Sequence, residues 1–214
     1  MLVSDSYHSA IRSRITSMAI GTVFSISDVE DCGSYDAVRK SLSRLADGGL
    51  IQRVLIGVYW FMPGQNITSD IHPSIEDVAF ALARNNDWII MPGTELCRYH
   101  LGLRKDPPEV PDYLISGPSK SYVYGGTVRF RTQKCPGKIL TFLSAKSAVV
   151  VAALLNLSEH PVSAADIIHL SDTLDLETKQ LLLQERKYIP ARIRNVIEII
   201  CGTYGVVPRG RSSF

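Results

Sequence analysis

The chain has 214 residues, 45% hydrophobic and 21% charged, a composition that can bury a core and excludes wholesale disorder. The formal net charge of +2 excludes a polyanion binder that works by bulk charge alone. Four scattered cysteines, Cys32, Cys97, Cys135 and Cys201, form no C-x-x-C pair and no zinc spacing, so the chain reads as a cytoplasmic protein with reduced thiols.

The N-terminal stretch lacks the apolar core of a signal peptide, and no membrane association is expected. Residues 4–18 read as a first helix, with Ser4 as a possible cap and Ala10, Ile11, Ile15 and Met18 as its apolar stripe. Val23, Phe24 and Ile26 follow as a short extended segment, then a brief helix over Asp28–Asp31 capped by Ser27 and broken at Gly33. Ser34 caps the next helix, whose inward face is Ala37, Val38, Ser41, Leu42 and Leu45. Gly48 and Gly49 stop it, one of them with positive φ. "LIQRVLI" and "VYWFM" then form a hairpin around Gly57. This is the element order of a winged helix-turn-helix over residues 1–62.

A linker is expected over residues 63–73 and a second, α+β domain over 74–214. That domain reads as a helix at 74–86, a strand at 88–91, and a helix at 94–103 capped by Thr94. "YLIS", "YVYG", "TVRFRT" and "KILTFLS" read as strands of a small mixed sheet. Helices follow at 145–158, 163–171, 175–187 and 189–201. The longest apolar run, 147–157, is too short to span a bilayer and reads as a buried helix. The fold class is therefore α+β, a winged helix followed by a mixed-sheet domain with a helical C-terminal part.

The helix at 34–47 carries the most specific chemistry. Reading a major groove requires an exposed face of side chains that hydrogen-bond base edges and phosphates. Ser34, Tyr35, Arg39, Lys40, Ser43 and Arg44 supply one, and Arg53 on the first wing strand adds a backbone contact. Residues 1–62 hold six basic side chains (Arg12, Arg14, Arg39, Lys40, Arg44, Arg53) against six acids, so DNA binding must come from placement of charge. The alternative is a solvated amphipathic helix. Tyr59 and Phe61 are expected to pack the wing onto the helices rather than stack on bases.

"GSYD" at 33–36 resembles the opening of a nucleotidyltransferase site, but no pair of carboxylates follows to hold two metals. No phosphate-binding glycine loop, dinucleotide fingerprint or H-E-x-x-H motif occurs, and the five histidines (His8, His72, His100, His160, His169) share no spacing. Neither catalytic residues nor a cofactor or metal site is expected.

"AVRKSLSRLADGGLIQRVLIGVYWF" resembles the N-terminal winged helix of the AbiEi-type antitoxin family. The matching positions are Ala37, Val38, Leu42, Arg44 and Leu45, then Gly49, Leu50 and Ile51, then Gly57 and Tyr59. "IEDVAFALAR" followed by "IMPGTELCRYHLGL" is similar to that family's second segment, and the resemblance covers about residues 5–145. It implies the antitoxin of a type IV toxin–antitoxin, phage-defence pair. Such a protein represses the promoter of its own operon and counters a cognate nucleotidyltransferase-like toxin. From residue 129 onward twelve Lys/Arg stand against seven Asp/Glu, so a toxin-facing surface is expected there, including Arg192, Arg194, Arg209 and Arg211. Two alternatives stay open: a winged-helix regulator whose C-terminal domain senses a ligand or dimerises, with no toxin, and an enzyme whose winged helix only mediates contacts.

Overall fold

A computed structural model describes residues 3–62, 64, 71–135, 137–155 and 161–202. Most of the expected linker, His160, and Arg209 and Arg211 lie outside the described residues. The chain is α+β and divides into two compact units: residues 1–90 with 120–130, and residues 91–119 with 131–214.

The first unit opens with α1 (Val3–Thr16), whose Ile11 and Ile15 are fully buried. Strand β1 (Val23–Ser25) leads into a 3-10 helix (Ile26–Cys32), then α2 (Tyr35–Asp47) and the hairpin β2 (Gln52–Leu55) and β3 (Val58–Trp60). The strands form an antiparallel sheet in the order β1-β3-β2, with Val23 opposite Trp60 and Leu55 opposite Val58. The Trp60 indole donates to the Gly21 carbonyl at 3.0 Å, and Gly21 and Phe61 share a backbone hydrogen bond at 2.8 Å. These bonds tie the end of the wing to the turn before β1.

The helices assemble because their apolar residues recur at helical spacing and have one place to go. Val38, Leu42 and Leu45 of α2 join Ile11, Ile15, Phe24, Val29, Ile51, Tyr59 and Phe61 in one core. Phe24 and Tyr59 stack with ring centroids 5.7 Å apart, so the wing aromatics are core as expected. Gly49 has φ 71°, the left-handed stop required after α2, and Gly57 has φ 78° at the two-residue wing turn.

Helix α3 (Ile75–Asn85) belongs to this first unit, which corrects the expected boundary at 62–74. Its Val78, Ala81 and Leu82 are buried and it packs on β1, β3 and the 3-10 helix. Arg84 holds Asp28 with two guanidinium hydrogen bonds, Nε to Oδ1 at 3.1 Å and Nη2 to Oδ2 at 3.2 Å. The same Asp28 Oδ2 accepts from the Ser25 backbone N–H at 2.7 Å, making Ser25, not Ser27, the cap of the 3-10 helix. A polar, glycine-containing stretch at 63–73 marks a local change in composition. It says nothing of the apolar face that begins at residue 78 and packs back on the wing.

The second unit contains β4 (Ile90–Pro92, from Met91 on), α4 (Thr94–His100), β5 (Asp112–Ile115) and the end of β7 (Val128–Lys134), through which the chain passes from the first unit. Here the strand order is β4-β5-β7, with β5 and β7 parallel and Asp112 opposite Arg131. The start of β7 makes a hairpin with β6 (Lys120–Tyr124) in the first unit. Helices α5 (Gly137–Phe142), α6 (Ala145–Ala153), α7 (Ala164–Thr173), α8 (Leu176–Gln184) and α9 (Ala191–Ile200) complete it. Its core is aliphatic, with Ile139, Val151, Leu154, Leu170, Leu182, Ile193 and Ile197 buried together.

Two further expectations are corrected. "KILTFLS" is the helix α5, not a strand, because Ile139, Leu140 and Leu143, the residues that pack on the core, lie at helical spacing. Gly93 rather than Thr94 precedes α4 as its cap, and Thr94 is buried in the first turn.

Candidate nucleic-acid interface

Helix α2 and the wing enclose a concavity of about 540 Å³ on the first unit. Five of the seven side chains expected to contact DNA line it: Tyr35, Arg39, Lys40, Ser43 and Arg53. Arg39, Lys40, Ser43 and Arg53 are exposed, and Tyr35 is 63% exposed. The periodicity of α2 explains the arrangement. Positions 38, 42 and 45 are locked into the core, which turns 35, 39, 40 and 43 outward toward the strand carrying Arg53.

Arg44 is exposed on α2 but outside the concavity, and Ser34 is the cap of α2, its hydroxyl accepting from the Ala37 N–H at 3.4 Å. Among the described residues no carboxylate forms an ion pair with Arg39, Lys40, Arg44 or Arg53. One acid, Asp47, stands in the lining at the end of α2. The floor includes the buried Tyr59, whose phenol burial pushes above its ordinary value against the opposing pull of Arg53. It is a neutral hydrogen-bonding group at any physiological pH.

Ile56 at the wing tip is 82% exposed and also lines the concavity. It reads in sequence as a strand residue of "RVLI", and the only signal of its exposure is the glycine after it. The neighbouring Gly57 is pinned from the other side, because a Cβ there would lie 2.6 Å from Asn85 Nδ2 of α3. The wing turn is thus held by a helix outside the winged-helix elements.

On the second unit the expected toxin-facing pair separates. Arg192 is exposed, whereas Arg194 is half-buried and donates to the chain's own carbonyls, Nε to Ile189 at 2.8 Å and Nη2 to Lys187 at 3.5 Å. Sequence reasoning also passed over Asp112. It is 7% exposed, and a Cβ at Gly93 would collide with its carboxylate and carbonyl. Burial pushes its carboxyl above the ordinary range, partly opposed by a hydrogen bond from its own backbone N–H and by the nearby Arg131. No group of three or more His, Cys, Asp or Glu is placed to hold a metal among the described residues. No helix among them is long and apolar enough to cross a membrane.

A helix, a 3-10 turn, a second helix and a three-stranded sheet with cations gathered between helix and wing define an α+β protein of winged-helix element order. The chain belongs to the family described as DUF6088, a family of unknown function, whose pattern matches residues 10–182. It is similar in structure to the RV2827C protein from Mycobacterium tuberculosis, known from a crystal structure, with 16% identity and a TM-score of 0.43 over 93% of this chain and 77% of that one. No curated protein matches it.

Proposed function

We propose that the chain is a DNA-binding transcriptional regulator that reads the promoter of its own operon with α2 and the wing. The observation that supports this reading is the concavity, where Arg39, Lys40 and Arg53 meet Tyr35 and Ser43 with no ion-pair partner among the described residues. A cation without a partner on a rigid helix is ready for phosphate or for the O6/N7 edge of guanine. In this reading α2 lies in the major groove, Arg39 and Lys40 take base edges or phosphates, and Arg53 holds the backbone from the wing. Binding is tested by fluorescence anisotropy of the full chain on DNA from upstream of its own gene and on scrambled DNA. Preference for the upstream sequence, lost in Arg39→Ala, is expected. Equal binding to both, unaffected by Arg39→Ala and Arg53→Ala, would remove α2 as the reader.

The second half of the proposal follows from the resemblance to the AbiEi-type antitoxins. It makes the chain the antitoxin of a type IV, phage-defence pair whose toxin is nucleotidyltransferase-like, the chain itself being no enzyme and acting in the cytoplasm. Co-expression of the full chain with a nucleotidyltransferase-like product of the adjacent gene tests it. Restored growth is expected, and growth arrest that the chain does not relieve would overturn it.

A further inference from the structure

The second unit carries a cavity of about 660 Å³, within the range of small-molecule sites, and it uses none of the residues of the proposed DNA interface. Its floor is buried and mostly apolar: Leu114 of β5, Leu155 after α6, the Cys135 thiol and the first-turn Thr94 of α4. Its rim is exposed and cationic, formed by Lys134 at the end of β7 and Arg192 in the first turn of α9. Among the described residues no lining residue is acidic, and neither Lys134 nor Arg192 has a carboxylate partner.

The cationic rim is notable because the other cations of this unit are mostly engaged. Arg98 pairs with Asp166, Arg104 with Glu95, Lys146 with Asp175 and Glu177, and Arg186 with Glu198, while Arg194 is held on backbone carbonyls. Among the described residues Lys134 and Arg192 have no ion-pair partner, and both open onto one cavity. Pro190 before α9 contributes no side-chain acceptor to the first turn, so the backbone there adds to the positive field at the rim. An apolar floor rewards burial of hydrocarbon, and two cations at the mouth reward a negative headgroup.

We propose that this cavity binds a small organic anion with an apolar body, its carboxylate or phosphate held by Lys134 and Arg192 and its hydrocarbon on Leu114 and Leu155. Arg192 then belongs to a ligand site rather than to a toxin-facing surface. The proposal stands apart from the DNA-reading function, because the two sites share no residue.

Isothermal calorimetry on the full chain tests it with octanoate, octyl phosphate, octanamide and acetate as probes. Octanoate is expected to bind about tenfold more tightly than the neutral octanamide, the scale of one charge-assisted contact. Acetate, which has the charge without the body, is expected to be weaker by at least a similar factor. Octyl phosphate binding above octanoate identifies the headgroup as phosphate, and the reverse order identifies a carboxylate. The double variant Lys134→Gln/Arg192→Gln should keep the wild-type melting temperature, since both residues are exposed, and should bind octanoate no better than octanamide. Arg192→Lys should restore part of the preference. Four results would each overturn the proposal: no binding of either octyl anion at millimolar concentration, equal binding of octanoate and octanamide, equal binding of octanoate and acetate, or an unchanged preference in the double variant.

Discussion

The two units place their unpaired positive charge differently. In the first, Arg84 is paired with Asp28, but Arg39, Lys40, Arg44 and Arg53 stand exposed without acidic partners among the described residues, and three of them face one concavity. In the second, Arg98, Arg104, Lys146 and Arg186 are tied to carboxylates, and Arg194 to main-chain carbonyls. Yet by composition the second part is the more basic, with twelve Lys/Arg against seven Asp/Glu from residue 129 onward, while residues 1–62 are balanced. A surplus of basic residues is therefore a poor guide to where a polyanion or an acidic partner docks. What matters is which cations the fold leaves without a counter-charge.

The largest effect that sharpens this contrast is expected from the core beneath the concavity. Leu42 is fully buried, so Leu42→Ala should cost about 2–5 kcal/mol in denaturant unfolding and abolish promoter binding through loss of the platform. Retained binding in a destabilised Leu42→Ala would show that the α2 platform is not needed. Next come the cations themselves. Arg39→Ala and Arg53→Ala should each weaken promoter binding by about 1–3 kcal/mol if they read bases. If they hold only phosphate, the slope of log affinity against log salt should shrink by about one per residue. Their melting temperatures should not change. Arg194→Ala should show the opposite pattern, a loss of about 1 kcal/mol of stability from its hydrogen bonds and unaltered DNA binding. If Arg194→Ala impaired binding while Arg39→Ala impaired only stability, the contrast between the units would be erased.

A smaller effect concerns Asp28. Burial alone would raise its carboxyl, but the hydrogen bonds from Arg84 and Ser25 outweigh burial and hold it below its ordinary value of 3.8. The unfolded chain therefore takes up the proton first on acidification. Asp28's contribution is complete above the ordinary value and disappears as pH falls through the lower folded value. Asp112 has the opposite sign, since its raised carboxyl makes the folded state the better proton acceptor and favours folding as pH drops. The measurement is thus the difference between wild type and Asp28→Asn in thermal unfolding at pH 7 and in the acid range. The difference should be present at pH 7 and vanish on acidification, and a constant difference would exclude the ion pair as its source. The smallest effect is expected at Lys146, which meets Asp175 and Glu177 at the surface. Lys146→Gln should leave the melting temperature within error of wild type.

Much of the first unit was legible because its signals are local. Ser34 caps α2, Gly49 has the left-handed stop, Gly57 makes the wing turn, and the 38/42/45 spacing turns the cationic face outward. The errors share a different origin. The place of α3 depends on Arg84 meeting Asp28, 56 positions earlier, and no window of sequence contains both. Gly93, the cap of α4, sits so close to Asp112 of β5 that a side chain there would collide with it, again a long-range contact. "KILTFLS" combines β-favouring residues with helical spacing, and packing on the core follows the spacing. The separate fates of Arg192 and Arg194 turn on where the carbonyls of residues 187 and 189 point, which charge counting does not see.

The return of residues 120–130 to the first unit has a consequence for genetics. No contiguous stretch of the gene encodes that unit alone: a stop codon after residue 62 strips the wing turn of Asn85 and Asp28 of Arg84, and one after residue 90 still omits the β6 hairpin, whose Tyr124 hydroxyl donates to the Pro73 carbonyl. A start codon placed at residue 66 would leave the apolar face of α3 facing water. Deletions that end between residues 62 and 130 each remove part of the first unit, so alleles that separate its functions are better built from point substitutions.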